Sequence, residues 1–276
     1  MSHAVDPGLA AARFSFRRVG AMVLRHLYLL RSSWPRTVEI IYWPIMQVST
    51  WGFLQLYVNQ HSTFFAQAVG ILVGALLMWD ILSRSQIGFS ITFLEEMWSR
   101  NMGNLLMSPL KPSEYIVSLM VMSSIRLFIG LIPATLIAIP LFGFNIWSLG
   151  FGLGLFFAAL MLTGWALGLV IAGLILRHGL GAEGLAWSLI FLMLPLCCVY
   201  YPVAQLPALV QPIAWMLAPT YVFEGLRALL IEQRLRLDLM AWAFALDLVY
   251  FSVAALVFSR LLAAARASGS LVQLGE

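Results

Sequence analysis

The sequence predicts an all-helical membrane protein built as one domain. Hydrophobic residues make up 62% of the 276 residues and charged residues only 10%, whereas soluble domains carry about 25% charged residues. The mean hydropathy is +0.92. Apolar stretches fill most of the chain, so little sequence remains for a soluble catalytic domain. We therefore expect residues 1–276 to form a single transmembrane domain.

Six stretches are long and apolar enough to cross a membrane, because a helix needs about 20 apolar residues to span ~30 Å of hydrocarbon. The predicted spans are 37–59, 64–92, 113–142, 147–176, 184–204 and 237–262. They form a six-helix membrane domain over 37–262, preceded by an arm, 1–36, and followed by a polar tail, 263–276. The pairs Gly70/Gly74 and Gly164/Gly168 have the spacing that lets membrane helices approach closely.

The arm has the pattern of an amphipathic helix. A cleaved signal peptide needs an uninterrupted apolar segment, and arginines interrupt this one, so we expect the arm to stay attached. The pattern favours a helix lying in the headgroups of an anionic leaflet, although an ordinary packing helix would show it too. The two opposed sets are Phe16, Val19, Val23, Leu27 and Leu30 on one side, and Arg13, Arg17, Arg18, Arg25 and Arg31 on the other.

Basic residues predict the orientation, because they collect on the cytoplasmic side of membrane spans. With the N-terminus inside, twelve of the 16 basic residues lie on that side, and Arg126 lies within a span. Only Arg227, Arg234 and Arg236 fall outside. We therefore expect cytoplasmic termini and a multi-pass location in a bacterial cytoplasmic membrane.

A polar segment, "FLEEMWSRNMGNLLMSPLKPSEY", joins the second and third spans. It combines charged Glu95, Glu96 and Arg100 with apolar residues, and it ends at Pro109, which disfavours helical geometry in the preceding residue. A plain solvated loop is one interpretation. Carboxylates and an arginine beside exposed apolar residues favour docking to another protein.

This segment resembles the cytoplasmic loop of ABC-2 type transporter permeases. The loop of that family has an acidic residue, an arginine, a Leu-Leu pair and Ser/Thr-Pro-Leu before the third span, and Asn101 and Asn104 stand here where the family often has acidic residues or threonine. The resemblance implies that the segment couples the permease to an ATPase. The matching residues are Glu95 or Glu96, Arg100, Leu105, Leu106, Ser108, Pro109, Leu110 and, opening the next helix, Glu114.

A second stretch, "MLAPTYVFEGLRALL", is similar to the family pattern Asn-Pro-Leu-Thr-Tyr-x-x-Glu-x-x-Arg. Pro219, Tyr221, Glu224 and Arg227 carry the similarity. Glu224 and Arg227 lie three residues apart, so they share a helix face and can pair. The resemblance implies two short helices that dip into the outer leaflet at the substrate exit. An external loop followed by an interfacial helix is the alternative.

The sequence holds no P-loop, since Lys111 is its only lysine and follows Leu110 rather than glycine. We therefore expect that this chain is a transport subunit and not the ATPase. The family resemblance implies a topology like that of type V exporters. ATP and Mg would be bound by a separate ABC ATPase (nucleotide-binding) subunit, and a second copy or a homologous permease would complete the path. Membrane lipids are further partners, and we expect no cofactor on this chain and no nucleic acid.

Three ionisable residues lie within spans, where such groups are costly and usually have partners. They are Asp80, Arg126 and Asp247. At about 1.5 Å per residue, Asp80 and Arg126 lie roughly 18 and 21 Å from the cytoplasmic ends of their spans. We predict that these two pair, as a structural clamp or as a relay, with Arg84 as a competing partner. The histidines have no metal-ligand spacing, so no metal site is expected.

The sequence therefore predicts the permease of an ATP-driven exporter for a hydrophobic or amphiphilic substrate, such as a drug, a lipid or a lipid-linked glycan. The alternative is an ion-coupled secondary transporter that uses its buried carboxylates. A lipid-modifying enzyme would need clustered His, Asp, Ser or Cys residues near one membrane surface. No such cluster is evident in the sequence.

Overall fold

A computed structural model describes residues 14–61, 69–142 and 146–268, and all regular secondary structure in these ranges is helical. Predictions for 1–13 and 269–276, including the position of Arg13 and most of the tail, lie outside the described residues. The helices are α1 (Phe16–Arg31), α2 (Trp34–His61), α3 (Val69–Trp98), α4 (Met102–Met107), α5 (Pro112–Phe142), α6 (Phe151–His178), α7 (Leu185–Leu196), α8 (Gln211–Trp215), α9 (Ala218–Glu232) and α10 (Leu237–Ser268).

Three of the described helices are both long and apolar enough to cross a membrane: α5, α6 and residues Leu237–Ala265 of α10. Helices α2 and α3 have comparable lengths of 28 and 30 residues, but α3 carries two acidic residues near its end and an Asp and an Arg in its middle. The prediction of an all-helical membrane domain is confirmed. The count of six spans and the side on which the termini lie stay predictions.

The fifth predicted span, 184–204, is helical only over Leu185–Leu196. Twelve residues rise about 18 Å, which is less than the hydrocarbon thickness. The helix ends because Pro195 lies in its last turn and Cys198 adopts a left-handed conformation with φ of 54°. The chain continues through a 3₁₀ turn, Val203–Gln205, into the short α8 and the longer α9.

Helix α3 lies at the centre of the fold and packs against α2, α5, α6, α7 and α9. Small residues allow its close approach to α6. A Cβ atom added to Gly164 would lie 2.9 Å from the carbonyl oxygen of Leu82, and one added to Gly168 would lie 2.8 Å from the side chain of Phe89. The close approach predicted from the Gly164/Gly168 pair is therefore confirmed.

The predicted amphipathic helix is present as α1, but two arginines of its expected basic side face the protein. Val19, His26 and Leu30 are its buried residues, whereas Phe16 is exposed. Arg18 and Arg25 bind carboxylates of other helices, so the arginines do not form a single outward arc. The expected separation of an apolar face from a basic face is therefore wrong for these two arginines, because α3 and α5 supply acidic partners.

Candidate functional site

Three carboxylates near the junction of α1, α3 and α5 organise the first candidate region. We call Glu95, Glu96 and Glu114 the carboxylate cluster. All three side chains are buried. Each binds a guanidinium, which requires the charged carboxylate form. Buried charges are costly unless they are paired and hydrogen-bonded. The partners of these residues therefore determine how the ends of α3 and α5 are held.

Glu114 fastens α1 to the first turn of α5. Its carboxylate accepts hydrogen bonds from Nε and Nη2 of Arg18, at 2.8 and 2.5 Å, and from the backbone N–H groups of Ser15 and Lys111, at 2.8 and 3.0 Å. The hydrogen bond with Glu114 raises the pKa of the Arg18 guanidinium above its ordinary value. A single side chain thus joins α1, α5 and the connection that precedes α5.

We expect that Glu114→Gln loosens α1, because it removes the charge that four donors share while keeping the size of the side chain. Amide hydrogens in the first turns of α1 should exchange about tenfold faster, as a local opening would no longer break charge-assisted hydrogen bonds. Hydrogen exchange measured by mass spectrometry on the detergent-solubilised chain tests this.

The matched control for that change is Glu183→Gln, because the Glu183 carboxylate accepts a hydrogen bond from Nε1 of Trp98 at 3.0 Å and, among the described residues, forms no hydrogen bond or ion pair with α1. This variant should leave exchange in α1 unchanged. Equal exchange in α1 for the Glu114 variant and the unmodified chain would show that Glu114 does not hold the helix.

Glu96 joins the end of α3 to α1. Its carboxylate pairs with Nη1 of Arg25, and it accepts a hydrogen bond of 2.8 Å from the side-chain amide of Asn101. Nε2 of His26 lies 3.5 Å from the same carboxylate. The side chain of Glu96 is completely buried, so it holds the fold together rather than presenting a charge at the surface.

Glu95 connects α3 to three other helices. Nη2 of Arg126 in α5 lies 2.8 and 2.7 Å from its two carboxylate oxygens. Nη1 of Arg36 in α2 lies 3.2 Å away, and Nδ1 of His26 in α1 lies 3.7 Å away. Since every one of these partners lies on a different helix, Glu95 is the residue through which α1, α2, α3 and α5 are joined.

The predicted Asp80–Arg126 pair is wrong. Arg126 binds Glu95, and Asp80 lies 3.5 Å from Nε of Arg84, the competing partner one turn away. The prediction that Asp80 and Arg126 lie at the same height assumed that the second span ends at residue 92, whereas α3 continues to Trp98. The neglected residues lengthen the helix by about 9 Å, so Asp80 lies farther from this end than expected.

The direction of the side chains completes the explanation. Side chains tilt toward the N-terminus of their own helix, and α3 and α5 run antiparallel, since Gly88 contacts Ser123 and Phe93 contacts Tyr115. Arg126 therefore points toward the end of α3, where Glu95 points back toward it. Asp80 lies nearer the N-terminus of α3 and also points toward that end, so it points away from Arg126.

The second feature of this region is the α3–α5 connection, residues 99–111, which contains α4. Its inner side packs through Met102, Leu105 and Leu110, which are buried. Its outer side exposes Arg100, Asn104, Pro109 and Met107, of which Met107 is 81% exposed. Leu106 lies in α4, but its side chain falls outside the described residues. The coupling role predicted for this segment stays a prediction.

Arg100 forms the turn that leads out of α3. It has a φ of 51°, the left-handed conformation that usually carries glycine after a helix. The backbone N–H of Asn101 donates to the backbone carbonyl of Glu96 at 3.1 Å. The backbone N–H of Arg100 donates to the backbone carbonyl of Met97 at 3.0 Å. The backbone of Arg100 thus forms a defined turn, and its side chain is exposed.

The predicted Glu224–Arg227 pair is confirmed in α9. Nη2 of Arg227 lies 3.0 Å from Oε1 of Glu224, and Nε lies 3.3 Å from Oε2. Both residues also bind backbone groups of the preceding irregular chain: Glu224 accepts from the amide of Val203 at 2.8 Å, and Arg227 donates to the carbonyl of Cys198 at 2.8 Å. The pair therefore satisfies the irregular backbone between α7 and α9.

The other residues of the second motif have structural surroundings. Pro219 is buried in the first turn of α9, where a missing N–H group costs nothing. Tyr221 packs against Trp215 of α8, with ring centroids 4.9 Å apart. A cavity of about 660 Å³ lies beside α9, between the start of α3, the 200–204 turn and the start of α10.

The remaining buried charge, Asp247 of α10, accepts a hydrogen bond of 2.5 Å from the hydroxyl of Thr163 in α6. This contact joins the two helices at a buried position. Asp247 is therefore not part of the Asp80–Arg84 contact, which lies within α3.

His26 was not predicted as a site residue, because the histidines showed no metal-ligand spacing. Its ring is completely buried between Glu95 and Glu96. The available signal was its position on α1, because Val19, His26 and Leu30 are spaced by seven and four residues and so share one helix face. Arg18 was predicted only as a basic residue of the arm, and Arg36 was only counted among the cytoplasmic basic residues; the acidic partner of neither was predicted.

Residues 24–231 match the family model described as ABC-2 type transporter. The matched range is well over half of the chain and includes the carboxylate residues Glu95, Glu96 and Glu114, the α3–α5 connection and the pair in α9. No curated protein matches the chain.

Proposed function

The chain belongs to the ABC-2 type transporter family and is a permease, and from this membership we propose that it is the membrane subunit of an ATP-driven exporter. It moves a hydrophobic or amphiphilic substrate across the cytoplasmic membrane. A separate ABC ATPase subunit binds ATP and Mg and supplies the energy. Two permeases, either two copies of this chain or this chain and a homologue, form the translocation path.

The observation that carries the proposal is the form of the α3–α5 connection. It joins two long helices through a short helix whose apolar inner side is buried and whose outer side exposes Met107 and Arg100. An exposed apolar side chain and an exposed cation in one short connection suit an interface with another protein. The connection is the dock proposed for the ATPase.

The carboxylate cluster gives this dock a mechanical role. Glu96 binds Asn101 at the start of the connection, and Glu114 binds the backbone of Lys111 at its end. The same two carboxylates hold Arg25 and Arg18 of α1. A displacement of the connection by the ATPase would therefore move α1, α3 and α5 together rather than bend a loose loop.

The test is co-expression of the chain with a Walker-motif ATPase, chosen from the genes that neighbour its own. We expect the two proteins to co-purify and the complex to hydrolyse ATP when it is reconstituted into liposomes. The isolated chain should hydrolyse none. Hydrolysis by the isolated chain contradicts the proposal, and transport driven by an ion gradient without ATP would favour the secondary transporter instead.

We expect Met107→Asp to reduce ATPase binding about tenfold, because it places a charge in the centre of the proposed interface. Arg100→Gly should weaken binding by a similar factor. Glycine readily adopts the left-handed conformation of this position, so the change removes the guanidinium without straining the turn. Binding is measured by titrating the labelled ATPase subunit onto the purified permease.

The matched control is Leu209→Asp, since Leu209 is 89% exposed and lies in the irregular chain before α8, away from the α3–α5 connection. It should leave ATPase binding unchanged. Glu96 is unsuitable for this test because its replacement would also break buried contacts of α1 and α3. Unchanged ATPase binding by both the Met107 and the Arg100 variant would place the dock elsewhere.

A further inference from the structure

We propose that the cavity beside α9 binds an organic cation with an apolar body, and this inference rests on the proposed export of an amphiphilic substrate. The cavity lies where the chain between α7 and α10 meets the start of α3. It therefore lies at the opposite end of α3 from the carboxylate cluster.

The size and lining of the cavity suit such a ligand. Its volume of about 660 Å³ lies within the range of roughly 300–1,000 Å³ that is usual for small-molecule sites. Apolar side chains from several elements line it, among them Leu72, Val203, Ile231 and Leu239. A few polar groups accompany them, as in other ligand sites.

Two aromatic side chains of the lining, Tyr200 and Trp215, each pack against another aromatic ring. Tyr200 stacks on Trp51 of α2 with ring centroids 5.3 Å apart, and Trp215 packs on Tyr221 with centroids 4.9 Å apart. Aromatic faces attract organic cations, and tryptophan attracts them most strongly. Rings that are already fixed lose little conformational entropy when a ligand binds.

The charges around the cavity leave one carboxylate without a close partner. Arg227 contacts Glu224, and Arg236 is bound by Asp238 at 3.2 and 2.5 Å. The Glu232 side chain forms no ion pair or hydrogen bond within 14–61, 69–142 and 146–268.

The field of Glu232 still reaches Arg236. The Asp238 carboxylate raises the pKa of the Arg236 guanidinium most, and Glu232 and Glu224 add to this effect. Arg234 is exposed and does not line the cavity. The two carboxylates and two guanidiniums that line the cavity balance in number, but each guanidinium is already bound by a carboxylate, Arg227 by Glu224 and Arg236 by Asp238. The Glu232 carboxylate is the lining charge left to pair with a ligand, which favours a cation over an anion.

The experiment compares two probes of the same shape and opposite charge. Tetraphenylphosphonium and tetraphenylborate are each equilibrated by dialysis with the full-length chain in an uncharged detergent, with protein-free micelles as the blank. We expect saturable binding of the phosphonium at one site per chain, and at least about tenfold weaker protein-dependent binding of the borate.

Two variants locate the site. Glu232→Gln should weaken phosphonium binding about tenfold and leave borate binding equal or stronger, because it removes the lining carboxylate that no guanidinium binds. Trp215→Leu should weaken it roughly three- to tenfold through loss of the aromatic face. Glu39→Gln, which changes an exposed carboxylate of α2 outside the cavity lining, is the matched control and should change neither.

Three results would overturn the proposal: no saturable phosphonium binding, equal or tighter binding of the borate, or phosphonium binding that neither variant changes. The dialysis requires no ATPase and no transport. If the chain couples to an ATPase but fails this test, only the proposed cation site is wrong. If it binds the phosphonium but no ATPase, the cation site is supported and the proposed export mechanism is wrong.

Discussion

Replacing Glu95 with leucine should destabilise the protein by about 3–5 kcal/mol, because the change leaves a buried guanidinium without its partner. Arg126 is only 7% exposed, and both of its carboxylate contacts are with Glu95. Its Nε already has no hydrogen-bond partner. No other acidic residue in the described ranges pairs with it.

Arg126→Leu should cost clearly less, because the Glu95 carboxylate keeps Arg36 at 3.2 Å and His26 at 3.7 Å. The double variant Glu95→Leu/Arg126→Leu should recover part of the loss caused by Glu95→Leu, since no unpaired charge then remains in the interior. The asymmetry between the two single variants is the specific signature of a carboxylate shared by several cations.

Thermal unfolding in detergent, followed by tryptophan fluorescence, provides the measurement. Glu95→Leu should lower the midpoint by roughly 10 °C. The control is the cycle of Asp80→Asn with Arg126→Leu, whose effects should add because the two residues do not touch. Strong coupling between Asp80 and Arg126, with none between Glu95 and Arg126, would contradict the observed pairing.

The pairs that sequence predicted correctly lie within one helix or follow from one spacing rule. Glu224 and Arg227 share a face of α9 because they are three residues apart. Gly164 and Gly168 are four residues apart, and both face α3. Such relations depend only on the geometry of a helix, so they can be predicted without knowing how helices are arranged.

Contacts between helices depend on register, which hydropathy does not determine. Asp80 and Arg126 were placed at one level because the apolar run of the second span stops before the acidic pair, but α3 itself continues to Trp98. The end of an apolar stretch is therefore not the end of its helix. An error of a few residues suffices to assign a buried charge to the wrong partner.

The orientation of α1 shows a related limit. The helical wheel separates apolar from basic residues, and it therefore predicted that Arg18 and Arg25 face away from the protein. Both face inward, because Glu114 and Glu96 are buried at the ends of neighbouring helices. Their partners lie about 70 to 100 residues away in sequence, at separations of 96 and 71. No local pattern could predict such pairs.

The second large effect is expected at Gly164 in α6. A Cβ atom added to this glycine would meet the backbone of α3. A Cβ atom there would lie 2.9 Å from the Leu82 carbonyl oxygen and 1.7 Å from Oγ of Ser85. The hydroxyl can rotate away, but the carbonyl belongs to the backbone of α3 and cannot. Any side chain at residue 164 therefore has to push the two helices apart.

We expect Gly164→Leu to yield little folded protein, as judged by the monodisperse fraction in size-exclusion chromatography in detergent. Overpacking a tight interface costs about 1–3 kcal/mol or more, and α3 and α6 form the central contact of the fold. Gly164→Ala, a smaller change, should still lower the unfolding midpoint. This holds although alanine favours helix by roughly 0.5–1 kcal/mol over glycine.

The same helix provides the control at Gly154, where an added Cβ atom would meet nothing within 4 Å. Gly154→Ala should leave the unfolding midpoint equal or raise it slightly, because only the helix preference of alanine remains. Gly154→Leu should yield folded protein in the normal amount. If both leucine variants fold equally well, α3 and α6 do not pack as closely as the structure shows. If both fail, the loss reflects removal of glycine from α6 rather than the contact at Gly164.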